Sequence, residues 1–367
     1  AGLAGSEASL QLAKRGIYVD LYEMRPNKET GAHKTDKFAE FVCSNSLGSY
    51  DITNASGLLK HEMEILDGEL IKIVMEAKVP AGGALAIDRE YFSSKVTKLI
   101  EGNPCINVIR EEVTEINIDK PVIIASGPLT SDVLSKNIQA VLGEDYLHFF
   151  DAIAPIVEKE SIDFNKAFYL NRYNKGGADY INCPMNKEEY ENFYNELINA
   201  EVVTLHEFEK REIFEGCMPV EVMAKRGEDT LRFGPLKPVG FTDPRDGSKP
   251  YAIVQLRQDD NKATLYNLVG FQTNLKYGEQ KRVFSMIPGL EKANFVKYGV
   301  MHKNTYINST KLLDETYNLK SENRIFFAGQ ITGVEGYVES ISSGMVASLN
   351  AIRKYRMQEK IVFDEKT

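Results

Sequence analysis

Residues 1–25 read AGLAGSEASLQLAKRGIYVDLYEMR, and this stretch decides the fold. Gly2 and Gly5 have the spacing of the last two glycines in the G-x-G-x-x-G motif, which opens a helix in dinucleotide-binding domains. Gly2 allows the backbone to approach a pyrophosphate that faces the helix N-terminus, and Gly5 allows the helix to pack on a sheet. The first strand and the first glycine of the motif would precede residue 1. The alternative is an ordinary glycine-rich turn before a helix.

A strand and a carboxylate follow this helix at the expected spacing. Residues 17–22 predict a strand, and Glu23 stands at its end. About 20 residues after the glycines, an acidic side chain in this position accepts hydrogen bonds from the hydroxyl pair of a ribose. The combination of glycines, strand and carboxylate therefore predicts nucleotide binding.

Two later strands also run into glycine turns. Residues 122–125 are apolar throughout, as expected for a central parallel strand, and Ser126 and Gly127 follow. Residues 324–328 predict a second buried strand, which ends at Gly329. Both turns are places where the domain can contact a bound nucleotide.

The last of these turns leads into a long helix. Gln330 and a turn that ends at Gly336 precede a helix predicted over about 339–355. A strand, a glycine turn and a helix N-terminus form a site for an anion and a ring. A nucleotide domain built from both ends of a chain, with an insertion between them, indicates FAD rather than NAD.

The pattern changes in the middle of the chain. Residues 146–157 and 168–183 alternate and carry turn residues, which predicts antiparallel sheet, and 187–199 form an amphipathic helix. We therefore predict an α/β fold in which a Rossmann-like FAD domain of the glutathione-reductase type is split across both chain ends. Its boundaries are 1–150 and 300–356, with an α+β insertion domain at 151–299 and a C-terminal tail at 357–367.

Three elements of the first domain are predicted from periodicity. We expect a short helix that runs into a polar loop over 36–49, one helix over 53–79 and a short strand over 112–118.

Composition and cysteine spacing exclude several classes of protein. Hydrophobic residues make up 43% of the chain, and no run approaches the roughly 18 apolar residues of a membrane helix. No signal peptide is visible, so we expect a cytoplasmic protein without membrane contact. The cysteines are far apart, which argues against a metal site or a dithiol redox motif; they are Cys43, Cys105, Cys183 and Cys217.

Charge is unevenly distributed along the sequence. The net charge is −9, yet residues 210–303 hold 16 Lys and Arg against 11 Asp and Glu, a net of +5. A basic segment in an acidic protein is compatible with RNA binding, although charge runs are commonly only solvated surface.

Several blocks spread over the chain carry a family resemblance: Gly2-x-x-Gly5-Ser6-Glu7, Glu23-Met24-Arg25-Pro26, Phe41-Val42-Cys43-Ser44-Asn45-Ser46, Val79-Pro80-Ala81-Gly82-Gly83, Phe214-Glu215-Gly216-Cys217-Met218-Pro219, Val254-Gln255-Leu256-Arg257-Gln258-Asp259 and Ala328-Gly329-Gln330 with Gly333-Val334-Glu335-Gly336-Tyr337. Together they resemble the folate- and FAD-dependent RNA (uracil-5-)-methyltransferases, the TrmFO family, which is related to GidA. The resemblance extends to about Tyr355. It departs from many members at Gly48, where they have Arg, and at Tyr277, where they often have Trp.

The resemblance implies the activity. It implies methylation of a uridine at C5, most simply uridine 54 of the tRNA T-loop, with carbon from methylenetetrahydrofolate and reducing equivalents from NAD(P)H. Since Gly48 replaces a basic residue, a uridine of large-subunit (23S) ribosomal RNA stays an alternative target. A GidA-like flavin oxidoreductase and a non-catalytic RNA-binding flavoprotein are further alternatives. The sequence specifies neither the oligomeric state nor the choice between NADH and NADPH.

Two cysteines are the catalytic candidates. Uracil C5 is a poor nucleophile until a thiolate adds at C6, and the resemblance assigns this role to Cys217. Nearby cations would favour the thiolate; they are Lys210, Arg211, Lys225 and Arg226. Cys43 is the second candidate, either as the base that removes the C5 proton or as a thiol that forms an adduct at the flavin. For either cysteine the alternative is a structural role.

The remaining candidates are binding residues. His302 and Tyr337 are candidates to face the pterin of the folate, or are simply packing residues. RNA phosphates are expected to contact the basic segment, with Arg232, Arg257 and Arg282 as candidates. The cofactor-binding set is Gly2, Gly5, Glu23, Arg25, Ser44, Asn45, Ser126, Gly127, Gly329, Gln330, Gly336 and Tyr337.

Overall fold

The structure is a computed structural model that describes residues 1–30, 32–174, 177–203 and 218–363, except for the side chains of 147–151, 174 and 301–303. Its α-helices are α1 (Leu3–Lys14), α2 (Ala55–Ile65), α3 (Glu69–Glu76), α4 (Arg89–Glu101), α5 (Asp132–Leu142), α6 (Lys187–Asn199), α7 (Val220–Ala224), α8 (Thr230–Phe233), α9 (Tyr277–Phe284), α10 (Ser309–Leu312) and α11 (Tyr337–Tyr355). Its strands are β1 (Val19–Tyr22), β2 (Ser46–Ser49), β3 (Lys78–Val79), β4 (Ala84–Ile87), β5 (Ile106–Ile109), β6 (Val122–Ile124), β7 (Leu147–Ala152), β8 (Ile156–Glu158), β9 (Phe168–Tyr169), β10 (Tyr180–Met185), β11 (Ala252–Gln258), β12 (Leu265–Leu268), β13 (Phe295–Lys297), β14 (Met301–Tyr306) and β15 (Ile325–Phe327).

Two parallel strand pairs form the centre of the nucleotide-binding part. β1 pairs with β5, with Val19 opposite Ile106, and β6 pairs with β15, with Val122 opposite Ile325. Ile325 and Phe327 of β15 are fully buried, as expected for strands covered on both faces. Since β6 and β15 come from distant parts of the sequence, the two ends of the chain form one structural unit.

Helices α1 and α11 pack backbone to backbone beside these strands. A Cβ atom at Gly344 would lie 2.2 Å from the carbonyl oxygen of Ala4, so only glycine fits at this point of α11. On another side of α1, a Cβ at Gly5 would lie 3.4 Å from the Cβ of Ala125, just after β6. That distance is an ordinary van der Waals contact, so α1 lies close to the sheet here, while the role predicted for Gly5 stays a prediction.

The middle of the chain forms a second sheet. Its six strands are antiparallel in the order β13-β8-β12-β11-β10-β9. Large side chains of α6, α9 and the preceding loop are buried in the associated core; they are Tyr190, Phe193, Leu197, Phe271 and Phe284. This pattern confirms the predicted α/β class with an antiparallel insertion, while the domain boundaries stay predictions.

The antiparallel pair β7 and β14 connects the two parts. Just after β7 and just before β14, the Ile153 N–H donates to the Val300 carbonyl oxygen over 2.8 Å. Farther along, Thr305 donates to the carbonyl oxygen of Pro128, and Ile307 donates to that of Ile331. β14 is thereby fixed against the ends of β6 and β15.

Helix α6 shows where local sequence signals are sufficient. The structure has Lys187–Asn199 as a helix, as predicted. Asn186 caps it: its side chain accepts the Glu189 N–H over 2.9 Å, and the Glu189 carboxylate accepts the Asn186 N–H over 2.8 Å. This capping box is encoded within four residues.

Three predictions for the first domain are wrong. The helix expected over 53–79 is two helices, α2 and α3, because Asp67 adopts a left-handed conformation with φ of 62° and Gly68 precedes α3. Residues 36–45 are irregular and lead into β2, and 112–118 are irregular, where a helix and a strand respectively were expected.

The break before α3 depends on a contact from α1. The buried Glu7 carboxylate accepts the N–H groups of Glu69 and Leu70, at 3.0 and 2.7 Å, and so caps α3 from another helix. Burial raises the pKa of Glu7, although these hydrogen bonds oppose the rise.

Within the described residues, no helix is long and apolar enough to cross a bilayer.

The contact at Gly344 predicts a large effect of one methyl group. Gly344→Ala places a Cβ against the backbone of Ala4, which cannot move aside, and should lower the free energy of unfolding by about 1–3 kcal/mol. Gly278→Ala is the matched control, because a Cβ at this helical glycine meets nothing within 4 Å. It should leave stability unchanged or raise it by up to about 1 kcal/mol. Urea unfolding followed by circular dichroism measures both; equal stability of Gly344→Ala and wild type would contradict the packing argument.

Candidate active site

A cleft lies where the N-termini of α1 and α11 meet the ends of β1, β6 and β15. Ligands of open α/β sheets bind at such strand ends. Most of the predicted site residues line it; they are Gly2, Glu23, Arg25, Cys43, Ser126, Gly127, Gly329, Gln330, Gly336 and Tyr337. The fold thus brings residues from both chain ends to one cavity.

Two glycines from the C-terminal part of the chain line the cleft in conformations that other residues rarely adopt. Gly329 has φ of +79°, and a Cβ there would lie 2.9 Å from the Cβ of Ala4. Gly336, with φ of +101°, is the N-cap of α11. Gly2 is the N-cap of α1, and a Cβ there would meet nothing within 4 Å. Both helix N-termini therefore border the cleft. The α1 N-terminus is open and favours an anion, whereas the Glu339 carboxylate already lies against Gly336 at the N-terminus of α11.

Glu23 is held in place by Arg25. Its Oε1 accepts the Arg25 Nε–H over 3.0 Å, and its Oε2 accepts an Arg25 Nη2–H over 3.2 Å. Burial raises the pKa of Glu23, and the hydrogen bonds and positive charge of Arg25 oppose this rise. Arg25 also donates to Glu40 and to the Thr35 carbonyl oxygen. Glu23 is thus a fixed anion on the cleft wall, and Arg25 orients it.

Cys43 is held by the tyrosine that begins α11. The Tyr337 hydroxyl lies 2.8 Å from Cys43 Sγ and accepts the N–H groups of Cys43 and Ser44, at 3.0 and 3.3 Å. The Tyr337 ring packs on Phe41 with centroids 4.2 Å apart. Burial, reinforced by Cys43, raises the pKa of Tyr337 well above its ordinary value, so this hydroxyl keeps its proton at neutral pH. With its oxygen accepting from the backbone, the proton is available for a hydrogen bond to sulfur.

Two cations approach the same loop from other elements. Arg89 donates to the Cys43 carbonyl oxygen over 3.3 Å and to Asp259 over 2.8 Å. Lys297 donates to the Val42 carbonyl oxygen over 3.0 Å. Burial, and then the like charge of Arg89, lowers the pKa of Lys297 to about 8. Sequence reasoning missed Arg89 and Lys297, since neither stands in a recognisable motif.

Ser44 and Asn45 do not line the cleft but anchor its loop. Asn45 donates to the carbonyl oxygens of Ile87 and Gln258, at 3.1 and 2.9 Å. Arg257 donates to Asn45 Oδ1 over 3.0 Å and to Ser44 Oγ over 2.8 Å. The side chain of Arg257 is only 8% exposed, so the prediction that it contacts RNA phosphates on the surface is wrong. It supports the Cys43 loop instead.

The other RNA candidates lie on the surface but already carry partners. Arg282 forms ion pairs with Glu196 and Glu279, and Arg232 lies over the Tyr251 ring with its carbon Cζ 3.6 Å from the centroid.

Cys217 lies outside the described residues, and so does the side chain of His302 in β14. In the part of the chain that the structure describes, no group of three His, Cys, Asp or Glu could hold a metal ion.

The geometry around Cys43 predicts the effect of removing one hydroxyl. Tyr337→Phe leaves the N–H groups of Cys43 and Ser44 without their acceptor, which should cost about 1–3 kcal/mol of stability. The amide protons of Cys43 and Ser44 should therefore exchange faster with deuterium, measured by mass spectrometry of the peptide that contains them. Tyr194→Phe, which removes a hydroxyl bonded to the Ala224 carbonyl oxygen in the insertion, is the control. Equal exchange rates in Tyr337→Phe and wild type would show that the hydroxyl does not hold the loop.

Comparisons with known proteins agree with this arrangement. The family model described as glucose inhibited division protein A (GidA) matches residues 1–359. The relatives include proteins named methylenetetrahydrofolate--tRNA-(uracil-5-)-methyltransferase TrmFO from Natranaerobius thermophilus and Anoxybacillus flavithermus. Each is 61% identical, and the alignments cover 100% of this chain and 84% and 85% of the relatives. Among solved structures, GidA from Aquifex aeolicus matches with a TM-score of 0.72 at 17% identity, covering 99% of this chain and 64% of that one, and shows the shared fold. The chain therefore belongs to the GidA family and, within it, to the TrmFO group.

Proposed function

We propose that this chain is a methylenetetrahydrofolate-dependent tRNA (uracil-5-)-methyltransferase that binds FAD in the cleft described above. The observation that carries the proposal is the juxtaposition of a nucleotide-binding cleft with the held thiol of Cys43. Relatives that bear this enzyme name at 61% identity over the whole chain support it.

The cleft has the groups that a dinucleotide requires. Glu23 is fixed where a ribose hydroxyl pair would be bound, and the N-terminus of α1 at Gly2 offers backbone N–H groups to a pyrophosphate. Gly329, Gln330 and the N-terminus of α11 border the other side. When bound, FAD supplies the chemistry that carries and reduces the one-carbon unit.

We assign Cys217 as the nucleophile. Its thiolate adds to C6 of the target uracil, and the electron pair moves to C5, which can then bond to the one-carbon unit. The C5 proton leaves to a base, and elimination breaks the bond between sulfur and C6. The residues after it are anchored, since Met218 and Val220 are buried at the start of α7.

We assign Cys43 as the base that accepts the C5 proton. A base must carry a lone pair at the moment of transfer, and a thiolate at Cys43 would accept the Tyr337 hydroxyl proton. The positive charges of Arg89 and Lys297 beside its loop also favour the anion.

The RNA face is better assigned to exposed aromatic and basic residues beyond α7. Phe233 is 77% exposed and Tyr173 is 58% exposed. They border one loop: the Lys237 N–H donates to the Gly234 carbonyl oxygen, and the Tyr173 N–H donates to that of Gly240. Aromatic rings stack on unpaired bases and lysines contact phosphates. This loop follows α8, which comes after α7 and the Cys217 segment in the sequence.

We infer the target and the reductant from membership of the TrmFO group. A base that must meet a thiol and a cofactor has to leave its stack, which favours a loop uridine, and we assign uridine 54 of the tRNA T-loop. We expect NAD(P)H to reduce the enzyme for each turnover, and a cytoplasmic location, where tRNA is modified.

The cysteine assignments are tested by tRNA methylation. With methylenetetrahydrofolate, FAD and NADPH, wild-type protein should convert unmodified tRNA to tRNA with 5-methyluridine, detected by nucleoside mass spectrometry. Cys217→Ala should retain flavin but form no product and no covalent complex with 5-fluorouracil tRNA. Cys43→Ala should also be inactive. Cys105→Ala, beside β5 and away from the cleft, should stay active.

Three results would contradict parts of this scheme. Near wild-type product from Cys217→Ala would remove that thiol from the mechanism. Loss of flavin alone from Cys43→Ala would make that residue a cofactor-positioning group. Methylation of 23S ribosomal RNA, but not of tRNA, offered in parallel would overturn the tRNA target while leaving the thiol chemistry intact.

The RNA face predicts two different salt responses. Phe233→Ala should weaken tRNA binding by about 1–3 kcal/mol without changing the slope of log affinity against log salt. Lys237→Ala should reduce that slope by about one unit, because one phosphate contact is lost. Tyr18→Ala is the control, since Tyr18 is exposed beside β1 in the nucleotide-binding part. Filter binding at several salt concentrations measures all three, and unchanged affinity in both test variants would place the RNA elsewhere.

A further inference from the structure

Asn304 is a buried side chain whose polar atoms lack partners. It lies on β14, is 1% exposed, and lines the cleft. Neither its amide nitrogen nor its amide oxygen has a hydrogen-bond partner in the part of the chain that the structure describes. Buried polar groups are almost always hydrogen-bonded, because desolvation without a partner costs free energy. An amide that lacks both kinds of partner and borders a cleft therefore points to a ligand.

The position of Asn304 is fixed by its neighbours. Thr305 donates to the Pro128 carbonyl oxygen over 3.1 Å, and Ile307 donates to that of Ile331 over 2.8 Å. These bonds place Asn304 beside the turns that follow β6 and β15, where Gly127 and Gly329 also line the cleft. The side chain is thus presented at the strand ends, where α/β sheets bind their ligands.

The chemistry of the side chain restricts the ligand. A carboxamide offers N–H donors and a carbonyl acceptor side by side. A phosphate presents acceptors but no donor to match the carbonyl oxygen, and an aliphatic group presents neither. A lactam edge, in which a ring N–H adjoins a ring C=O, satisfies both atoms at once.

We propose that Asn304 binds the lactam edge of a ring held in this cleft, supplied by the flavin or by the pterin of the folate. The identity of these two rings rests on the proposed function. Asn304 then selects for rings with an adjacent donor and acceptor and sets the orientation of the ring against the strand ends.

The test compares ligand affinity with stability of the ligand-free protein. Asn304→Leu has similar size and removes both polar atoms, and Asn304→Ala is a smaller substitution that cannot clash. Replacing an unpartnered buried amide by an apolar group should leave the melting temperature of the apoprotein unchanged or higher. The affinity for the lactam ligand should drop by roughly tenfold or more, since its own donor and acceptor lose their partners.

Three ligands distinguish the sources. FAD binding to apoprotein is followed by fluorescence quenching, tetrahydrofolate binding to FAD-loaded protein by calorimetry, and ADP binding by calorimetry as a probe of the nucleotide half. Weaker FAD binding with unchanged ADP binding assigns the flavin. Unchanged FAD binding with weaker tetrahydrofolate binding assigns the pterin. Asn182→Leu is the control: Asn182 donates to the Leu170 carbonyl oxygen in the insertion sheet, so its loss should lower the melting temperature without altering ligand affinity.

Several outcomes would overturn the inference. They are unchanged affinity for both FAD and tetrahydrofolate, an equal loss of ADP affinity, which indicates contact with the adenine edge or general distortion of the cleft, and an effect on tRNA binding alone. Wild-type protein reports separately on the proposed function. If it binds both ligands and methylates tRNA while the variants behave identically, only the role of Asn304 is lost. If wild type binds neither ligand, both proposals are wrong.

Discussion

The backbone contact between α1 and α11 at Gly344 is the constraint on which the rest of the structure depends. With no side chain at this position, α11 approaches the Ala4 carbonyl oxygen closely enough that the first and last helices share one interface. Their N-termini, at Gly2 and Gly336, consequently open into the same cleft. A larger residue at 344 would push α11 away from α1 and so alter the distance between the two caps.

The environment of Cys43 depends on contacts from separate parts of the chain. Tyr337 reaches it from the last helix, Arg89 from α4, and Lys297 from the edge strand of the insertion sheet. Arg257, on a central strand of that sheet, fixes the next two residues. The thiol is therefore placed by the packing of the insertion on the nucleotide-binding part, which gives the insertion a structural role in the site apart from any contact with RNA.

The features that the sequence could predict are those determined by residues that lie close together along the chain. The glycines of the first motif and Glu23 were recognisable because a turn, a helix cap and a strand end are specified within about 25 residues. The break before α3 was missed although Asp67-Gly68 is a local turn signal, because the apolar periodicity continues across it and the Glu7 carboxylate that caps α3 is far away in sequence. Arg257 was misassigned for the same reason: a charged residue in a basic segment suggests surface, and only the fold shows its hydrogen bonds to Ser44 and Asn45. The nucleophile, Cys217, stays a prediction from the resemblance.

The charges of the cleft also explain why an acidic protein can bind an anionic cofactor there. The carboxylate of Glu23 does not repel a pyrophosphate across the cavity, because Arg25 neutralises it locally and fixes its direction. The N-terminus of α1 supplies backbone N–H groups and partial positive charge without adding a mobile cation. Attraction for the anion thus comes from fixed dipoles. The charged side chains near Cys43 instead form hydrogen bonds to the loop that carries the thiol. Under the proposed function, this separation would let one cavity hold a nucleotide at one side and favour a thiolate at the other.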